Sequence, residues 1–363
     1  MDKKVKILHL IPRFEIGGAE KMVWHYARLM NTDNFEIAVA SCVEDGLFRK
    51  EYEKLGVRVW VGSRALMGGR LGVWRALKKF TTEWQPDIVH THLMASDFFG
   101  YLIKKLSGRK IIWISTQHNV EFNTSFLRRL LWRFILPKAD AVVAVADKVN
   151  NYCLNNFGVQ AQKLYTIFNG VDLKNWLNVP SEKLFAGDKL RLATVGRLEE
   201  QKGHIYLLRA LAQLPDINWS WEIFGNGSLL KLLQSEAEKF GIADKITWHG
   251  TVINVSDKLD NIDVVIQPSL WEGLCIVVIE AMASGRCVLA TDPAGEELIV
   301  QNKTGLLVPP ADLDALAEAI KFLYAHPEAG RLIGENARAY AQENFGIEKN
   351  IESLIGLYLS FSV

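Results

Sequence analysis

The sequence predicts an α/β protein of two doubly wound domains, each built on a parallel sheet. Residues 1–172 alternate short apolar strands with helix-like segments, which is typical of a parallel sheet covered on both faces. Residues 173–188 lose that periodicity and contain Pro180 and Gly187, so they are the expected linker. The same alternation resumes over 189–345. A chain of 363 residues is long enough for two such domains.

The elements follow one another in a regular order. The first strand, VKILHLI, leads through the loop PRFEIGGAE into the helix EKMVWHYARLM. Further strands of the first domain are FEIAVASC, VRVWVG, DIVHTH, KIIWIST and ADAVVAVA, and those of the second are LRLATVG, WSWEIFG, KITWHG, VVIQPS, CVLATD and GLLVPP. The amphipathic segment 346–363 is expected to pack back on the first domain. Two such domains leave a central cleft where the carboxyl ends of both sheets face each other.

Composition narrows the class of protein. No signal peptide and no apolar run of about 18 residues is present, so a cytoplasmic protein without a membrane span is expected. The four cysteines show neither paired nor metal-type spacing, which favours reduced thiols. Residues 1–180 carry a net charge of +10 and the remainder −9. The first half is therefore expected to face something anionic, such as lipid headgroups, a phosphorylated acceptor or nucleic acid, unless the surface is merely dipolar.

A glycine pair opens the first predicted helix. Gly17 and Gly18 stand between the first strand and that helix, where backbone N–H groups and the helix N-terminus could approach an anion closely. The motif is not a GxGxxG, and a simple tight turn explains it equally well.

A basic turn opens the second domain. In TVGRLEEQKGH, Arg197 and Lys202 stand five residues apart between a strand and a helix, with Gly203 directly after them. Because both cations stand at the carboxyl end of a sheet beside a helix start, a diphosphate-binding site explains them better than a pair of solvated surface charges.

Two glutamates flank an apolar helix in WEGLCIVVIEAMASG. The helix is expected from Cys275 to Ser284 and is apolar all round, which indicates burial. Its N-terminal amides, from Gly273 through Leu274 and Cys275 to Ile276, would point at the same diphosphate. Glu272 and Glu280 could each accept hydrogen bonds from neighbouring hydroxyls, as a sugar and a ribose offer them. For either glutamate alone, a structural salt bridge is the alternative.

These motifs together resemble a known family. GRLEEQKG, PSLWEGLCIVVIEAMASG, ATDPAGEELI and TGLLVPP, with GGAE, PDIVHTH, TQHN and FNGVD upstream, are similar to the motifs of retaining GT-B glycosyltransferases of the family-four type. The resemblance covers nearly the whole chain. It implies the GT-B fold, with two Rossmann-like domains facing a central cleft, an acceptor-binding domain at 1–172, and a donor-binding domain at 189–345.

The resemblance also implies a role for each site residue. Arg197 and Lys202 would neutralise the diphosphate of a nucleotide-diphosphate sugar, Glu280 would hold the ribose, and Glu272 the sugar hydroxyls. His118, at the end of the strand IIWISTQ, would reach the transferred sugar, although a lone histidine there is more often structural. Gly17 and Gly18 would close over the diphosphate and the acceptor side.

The sequence departs from the family's usual pattern at a few positions. Cys275 stands where proline or a small residue is frequent, Ala294 begins the pair where two glycines are frequent, and Ala146 replaces a common serine. None of these changes removes a charged residue from the expected site, so they bear on donor-sugar identity rather than on activity.

The expected mechanism needs no cofactor and no metal. The motif positions supply no aspartate pair of the DxD type, so Arg197, Lys202 and helix amides are expected to stabilise the leaving diphosphate. No obvious nucleophile for double displacement is present, and the resemblance implies front-face transfer with retention. The leaving phosphate would help to deprotonate the acceptor hydroxyl, and domain closure would exclude water.

The basic first domain is the only guide to the acceptor. Segments 126–138 and 64–80 both interleave arginine and lysine with large apolar residues, as interfacial membrane helices do, although ordinary helices with one buried face look the same. We expect a lipid-linked or cell-envelope glycan acceptor in a bacterium, at the inner face of the cytoplasmic membrane. No motif supports nucleic-acid binding.

Three other functions fit the same architecture. A nucleotide-sugar epimerase would convert the donor without an acceptor, and a phosphorylase would need a pyridoxal-binding lysine in a larger chain. A non-catalytic sugar-nucleotide-binding subunit would have no need of the full set of charged residues. The choice of UDP, GDP or ADP, the sugar, the linkage and the oligomeric state are not encoded in any of these motifs.

Overall fold

The computed structural model describes residues 4–15, 17–32, 34–120, 125–177 and 184–361. These residues form two compact units. The first unit takes the chain up to Asn169 together with the segment from Ile347 onward, and the second takes Gly170–Gly346. Residues 178–183 of the expected linker lie outside the described residues.

Each unit is built on one all-parallel sheet. In the described part of the first unit the strands are β1 (Val5–Arg13), β2 (Phe35–Glu44), β3 (Arg58–Val61), β4 (Ile88–His92), β5 (Ile112–Gln117), β6 (Ala141–Ala144) and β7 (Leu164–Thr166). In the second they are β8 (Leu190–Val195), β9 (Trp219–Phe224), β10 (Ile246–Gly250), β11 (Val264–Gln267), β12 (Cys287–Thr291) and β13 (Leu306–Val308). Each strand except β7 falls on a segment that the apolar pattern predicts, and β7 was not predicted.

The order of the strands defines one switch point in each sheet. The first sheet runs β3-β2-β1-β4-β5-β6-β7 and the second runs β10-β9-β8-β11-β12-β13. The direction of winding therefore reverses between β1 and β4 in the first unit and between β8 and β11 in the second. In doubly wound sheets, ligands bind at the carboxyl ends of the strands beside such a reversal.

Helices connect the strands. They are α1 (Gly18–Met30), α2 (Arg49–Lys54), α3 (Gly69–Trp84), α4 (Met94–Leu106), α5 (Phe126–Ile135), α6 (Asp147–Tyr152), α7 (Lys174–Leu177), α8 (His204–Ala212), α9 (Leu230–Lys239), α10 (Ile276–Ala283), α11 (Asp292–Gly295), α12 (Leu313–Ala325), α13 (Pro327–Asn344) and α14 (Ile347–Leu359). None of the helices in the described ranges is long and apolar enough to cross a membrane.

The C-terminal helix α14 belongs to the first unit although it follows the second in the chain. It contacts α1, and its buried Tyr358 hydroxyl lies 2.5 Å from Nδ1 of His90 on β4. The amide nitrogen of Asn350 donates to the carbonyl of Phe168 at 2.6 Å. The amphipathic pattern of the segment is therefore explained by one face that is buried against the first sheet.

The end of the expected linker packs into the second unit. Leu184 and Phe185 are buried in the core that surrounds Trp219 and Trp221. The Asp263 carboxylate fixes this junction, because it accepts the backbone N–H of Phe185 at 2.5 Å. Asp263 is fully buried, and its charge is matched by an arginine on the first strand of the sheet.

Candidate active site

The two predicted motifs of the second unit lie on the strands that flank its switch point. The loop after β8 contains Arg197 and Lys202, and the loop after β11 contains Glu272. Gly203 allows these loops to meet, because its φ is +64° and a Cβ there would stand 1.9 Å from the carbonyl oxygen of Pro268. Only a glycine combines that backbone conformation with so close an approach.

Lys202 and Glu272 form an ion pair at this junction. The ammonium nitrogen of Lys202 lies 2.5 Å from Oε1 of Glu272, with only 15% and 8% of the two side chains exposed. The Ser269 hydroxyl donates to the same oxygen at 2.8 Å, whereas within the described ranges Oε2 accepts only from the Gln201 amide, at 3.4 Å. Burial alone would lower the pKa of Lys202, but the adjacent Glu272 carboxylate outweighs it and the net shift is upward. The lysine is therefore charged at neutral pH.

Helix α10 begins four residues after Glu272 and ends close to the predicted boundary. The sequence predicts Cys275–Ser284, and the structure places the helix at Ile276–Ala283 with Cys275 and Ser284 as its caps. No side chain accepts a hydrogen bond at the N-cap, so the amides at Gly273–Ile276 keep the donor character of a helix start. The second half of the helix is buried, in keeping with its apolar composition.

The thiol of Cys275 lies among the charges of the site. Its pKa is raised to about 11, mainly by burial and also by the Glu272 and Glu280 carboxylates, whereas Lys202 opposes the shift. All three charged groups are therefore close enough to Cys275 to act on it electrostatically. Glu280 is 7% exposed on the buried side of α10. Arg197, by contrast, has an exposed side chain in the loop after β8.

In the first unit, the glycine pair occupies the start of α1. Gly17 is the N-cap, with extended backbone and no side-chain cap, and Gly18 is the first helical residue. A Cβ at Gly17 would stand 2.4 Å from a carboxylate oxygen of Glu20, so a larger residue would force that side chain to move. Ile16 lies outside the described residues. A close backbone turn explains Gly17 without a ligand, and the anion-binding role of the pair stays a prediction.

His118 directly follows β5 and is half-buried. It lines a pocket within the first unit together with Leu93, Met94, Gln117, Asn119, Tyr152 and Phe157. Burial lowers the pKa of His118 to about 3, so its imidazole is neutral over the physiological range. Its Nε2 lies 3.2 Å from Nδ1 of His92.

His92 belongs to a histidine cluster that the sequence interpretation missed. His9, His90 and His92 are fully buried on β1 and β4, the strands that flank the switch point of the first sheet. Nδ1 of His9 lies 3.0 Å from Nε2 of His92. The spacing HTH at 90–92 could have indicated this cluster, because residues two apart on a strand point to the same face.

The nitrogens of this cluster lie close enough together to suit a metal ion. One nitrogen from each of His9, His90 and His92 lies within 4.8 Å of the others. However, His90 uses both ring nitrogens in hydrogen bonds, with the Tyr358 hydroxyl at 2.5 Å and the Thr116 hydroxyl at 2.6 Å. The close pair of His9 and His92 is likewise explained by a hydrogen bond. Hydrogen bonds within the protein therefore account for most of the histidine nitrogens that could otherwise bind a metal ion.

Comparison with protein families assigns the chain to a family. A family model described as Glycosyltransferase Family 4 matches residues 16–175, and one described as Glycosyl transferases group 1 matches residues 178–340. Between them they cover nearly all of both units. The chain belongs to the GT-B glycosyltransferases of the family-four type.

Relatives and solved structures agree with that assignment. The UDP-Gal:alpha-D-GlcNAc-diphosphoundecaprenol alpha-1,3-galactosyltransferase of Escherichia coli is 22% identical over 99% of this chain and 98% of its own. The lipopolysaccharide core biosynthesis mannosyltransferase LpsB of Rhizobium meliloti is 28% identical over 63% of this chain and 68% of its own. The structure of Anabaena Alr3699/HepE in complex with UDP-glucose has a TM-score of 0.88 at 21% identity and covers 98% of this chain and 100% of that one.

Two predictions are thereby confirmed. The chain has the GT-B fold, with a Rossmann-like parallel-sheet unit in each half, and it is a glycosyltransferase. The donor, the stereochemistry, the metal independence and the roles of individual residues stay predictions.

Proposed function

We propose that this glycosyltransferase transfers a hexose-type sugar, with retention, from a UDP- or GDP-sugar to a hydroxyl of a lipid-linked or cell-envelope glycan. The observation that carries the proposal is the buried pair of Lys202 and Glu272, with the glutamate four residues before the first residue of α10. The E. coli relative named for UDP-Gal and diphosphoundecaprenol, and the HepE structure with UDP-glucose, support a nucleotide-sugar donor and a lipid-linked acceptor.

The contacts around Glu272 favour a sugar at its second oxygen. Oε1 already accepts from the Lys202 ammonium and from the Ser269 hydroxyl. Oε2 has one weak partner, the Gln201 amide, and retains lone pairs that a sugar hydroxyl can use. We therefore assign the donor sugar to the Oε2 side, with Lys202 holding the carboxylate in place.

The diphosphate is assigned to the start of α10. The amides of Gly273, Leu274, Cys275 and Ile276 supply donors and the positive end of the helix dipole. The exposed side chain of Arg197 can move to contact the phosphates, and the largely buried Lys202 contributes a second positive charge. Glu280, further along the helix, is assigned to the ribose. In the first unit, Gly17 and Gly18 would serve the diphosphate side and His118 the transferred sugar.

The chemistry follows from charge development on the leaving group. As the anomeric bond breaks, negative charge grows on the diphosphate, and preorganised cations and amides stabilise the transition state. This arrangement needs no metal ion to neutralise the leaving group. The attacking hydroxyl loses its proton to the departing phosphate on the same face of the sugar, which gives retention.

Helix α5 supports a membrane-bound acceptor. Five of its large apolar side chains are exposed, namely Phe126 (77%), Leu127 (76%), Leu130 (54%), Leu131 (41%) and Phe134 (58%), whereas Trp132 and Ile135 are buried. Arginines are interleaved with them, which is the composition of an interfacial helix. Segment 64–80 differs, because α3 buries a regular apolar face against the first sheet and is an ordinary surface helix. We therefore propose peripheral association with anionic membrane through α5 alone.

A panel of nucleotides and nucleotide sugars tests the donor. Added without metal, one nucleotide sugar should raise the melting temperature well above the rest, and Glu280→Ala should abolish that shift, whereas the exposed control Glu318→Ala should not. His118→Ala should slow transfer while donor binding is kept. Sugar transfer that EDTA abolishes and Mg²⁺ restores would overturn the metal-free mechanism. Donor binding without transfer would favour a sugar-nucleotide-binding subunit, and donor conversion without an acceptor would favour an epimerase.

Vesicles containing anionic lipid test the acceptor side. The protein should bind them in a salt-sensitive way, and the double substitution Phe126→Ser and Leu127→Ser should release it. Leu47→Ser is the matched control, because Leu47 is 84% exposed in the same unit but lies outside α5. Equal binding by both variants would remove the role of α5.

A further inference from the structure

The buried histidines of the first unit form a hydrogen-bonded row that ends at His118. Nε2 of His118 lies 3.2 Å from Nδ1 of His92, and Nε2 of His92 lies 3.0 Å from Nδ1 of His9. Each link joins one nitrogen of one ring to one nitrogen of the next. His9 and His92 are fully buried, whereas His118 lines the pocket described above.

All three rings are neutral at physiological pH. Burial lowers the pKa of His9 and of His118 to about 3 and that of His92 well below its usual value. A neutral imidazole carries one N–H donor and one lone pair. The row can therefore be protonated in only two consistent ways, with every proton on Nδ1 or every proton on Nε2, because each link needs one donor and one acceptor.

The environment of His9, at the buried end of the row, distinguishes the two protonation patterns. Nε2 of His9 is buried and has no hydrogen-bond partner among the described residues. If every proton were on Nε2, this atom would be an N–H donor stranded in the core, and orphaned buried N–H groups are rare. The ring of Tyr26 cannot accept that proton, because it stacks on His9 at an interplanar angle of 28° and so faces the imidazole plane rather than its edge. Protons on Nδ1 leave only an unused lone pair there.

We infer that His9 and His92 act as positioning residues that fix His118 as its Nδ1–H tautomer. His9 Nδ1–H donates to His92, and His92 Nδ1–H donates to Nε2 of His118. The lone pair of His118 is thus occupied, and the nitrogen left for a ligand carries a proton. His118 offers a hydrogen bond to an oxygen of the bound sugar or phosphate and is not available as a base toward the acceptor hydroxyl.

This inference rests on the proposed function for the identity of the ligand, but the direction of the row does not depend on it. It also complements the chemistry above, because a donor at His118 leaves the departing phosphate as the group that takes the acceptor's proton. A fixed donor aimed at a sugar oxygen needs no reorganisation when the reaction occurs.

Nitrogen NMR on protein labelled with ¹⁵N-histidine tests the direction without any substrate. The His118 signals, assigned by their loss in His118→Gln, should show a protonated Nδ1 and an unprotonated Nε2. His92→Asn, which keeps an amide donor near the position of Nδ1, should preserve that tautomer, and His92→Leu should lose it. The exposed His326→Gln is the control and should leave it unchanged.

Several results would overturn the inference. A protonated Nε2 on His118 in the unmodified protein would reverse the row, and an unchanged His118 tautomer in His92→Leu would show that His92 does not fix it. One equivalent of zinc that binds the unmodified protein but not His9→Phe would replace the hydrogen-bonded row by a metal site.

Kinetics separate positioning from a merely structural role. His92→Leu should lower kcat by about tenfold, the value of one hydrogen bond of about 1.4 kcal/mol, while the donor KM changes less than about twofold. His92→Asn should restore most of the rate. Equal losses in both variants would refute the positioning role. If no nucleotide sugar is turned over at all, the proposed function fails, yet the NMR result still decides the direction of the row.

Discussion

The buried histidines of the first unit predict a steep loss of stability between pH 7.5 and 5.5. His9, His90 and His92 are fully buried, and burial lowers the pKa of each: to about 3 for His9 and well below the ordinary value for the other two. In the unfolded chain the same residues titrate near 6.5. Below that pH the unfolded state binds more protons than the folded state, so stability present above pH 6.5 is lost as the pH falls.

The magnitude follows from the number of buried rings. At pH 5.5 an unfolded histidine is about nine-tenths protonated, which stabilises the unfolded state by about 1.4 kcal/mol per residue. Burial also lowers the pKa of His118 to about 3, so the four rings of the first unit together give about 6 kcal/mol, a large part of the ~5–15 kcal/mol that holds a typical domain folded. Buried Asp97 acts in the opposite direction at lower pH, because a carboxyl with a raised pKa makes the folded state bind more protons than the unfolded state. Burial raises the pKa of its carboxyl, although hydrogen bonds from Thr91, Ser115 and Gln117 oppose that shift.

The assay is urea unfolding at the two pH values, with the first unit followed by hydrogen–deuterium exchange of peptides from β1 and β4. His9→Phe should reduce the pH dependence of the unfolding free energy by about one quarter, since one of four titrating rings is removed. The control His326→Gln replaces an exposed histidine of the second unit. A change below about 1 kcal/mol over this interval in the unmodified protein would refute the reasoning.

Three further predictions concern the second unit and the thiols. Lys202→Met or Glu272→Gln alone should lower the free energy of unfolding of the second unit by about 3 kcal/mol in urea, because each single change leaves one buried charge without its partner. The double variant should lose less than the sum of the two single variants, and additive losses would contradict the pairing. Gly203→Ala should cost more than about 1 kcal/mol, because its Cβ would meet the Pro268 carbonyl at a positive φ; an unchanged urea midpoint would exclude that clash. Burial raises the pKa of every thiol, to about 12 for Cys42, Cys153 and Cys287 and to about 11 for Cys275. Folded protein should therefore not react with Ellman's reagent at pH 8, and a fast-reacting thiol would mean that one of them is accessible.

The strands and the key helix could be predicted from the sequence because their signals are local. A buried parallel strand is a short apolar run, and α10 is a longer one bounded by Gly273 and Gly285, so its ends were predicted to within one residue. The motifs after β8 and β11 could also be assigned to one edge of a sheet, since both follow strands directly.

The contacts at the site could not be predicted, because they depend on which strands become neighbours. That Lys202 meets Glu272 requires β8 beside β11, although about 70 residues of chain separate them. His9 and His90 stand opposite each other only because β1 pairs with β4 in that register. The sequence interpretation treated His118 as a lone histidine, whereas the fold supplies its partner from another strand.

The Lys202–Glu272 pair is better explained by binding than by stability. Desolvation of two charges offsets most of their attraction, and a well-packed apolar pair at such a position is often as stable or more so. The surrounding loop nevertheless adds a serine hydroxyl to one carboxylate oxygen and leaves the other with a single weak contact. One well-satisfied oxygen and one weakly bonded oxygen, a few residues before a helix start, are in keeping with the proposal that Glu272 holds a sugar hydroxyl beside a bound diphosphate.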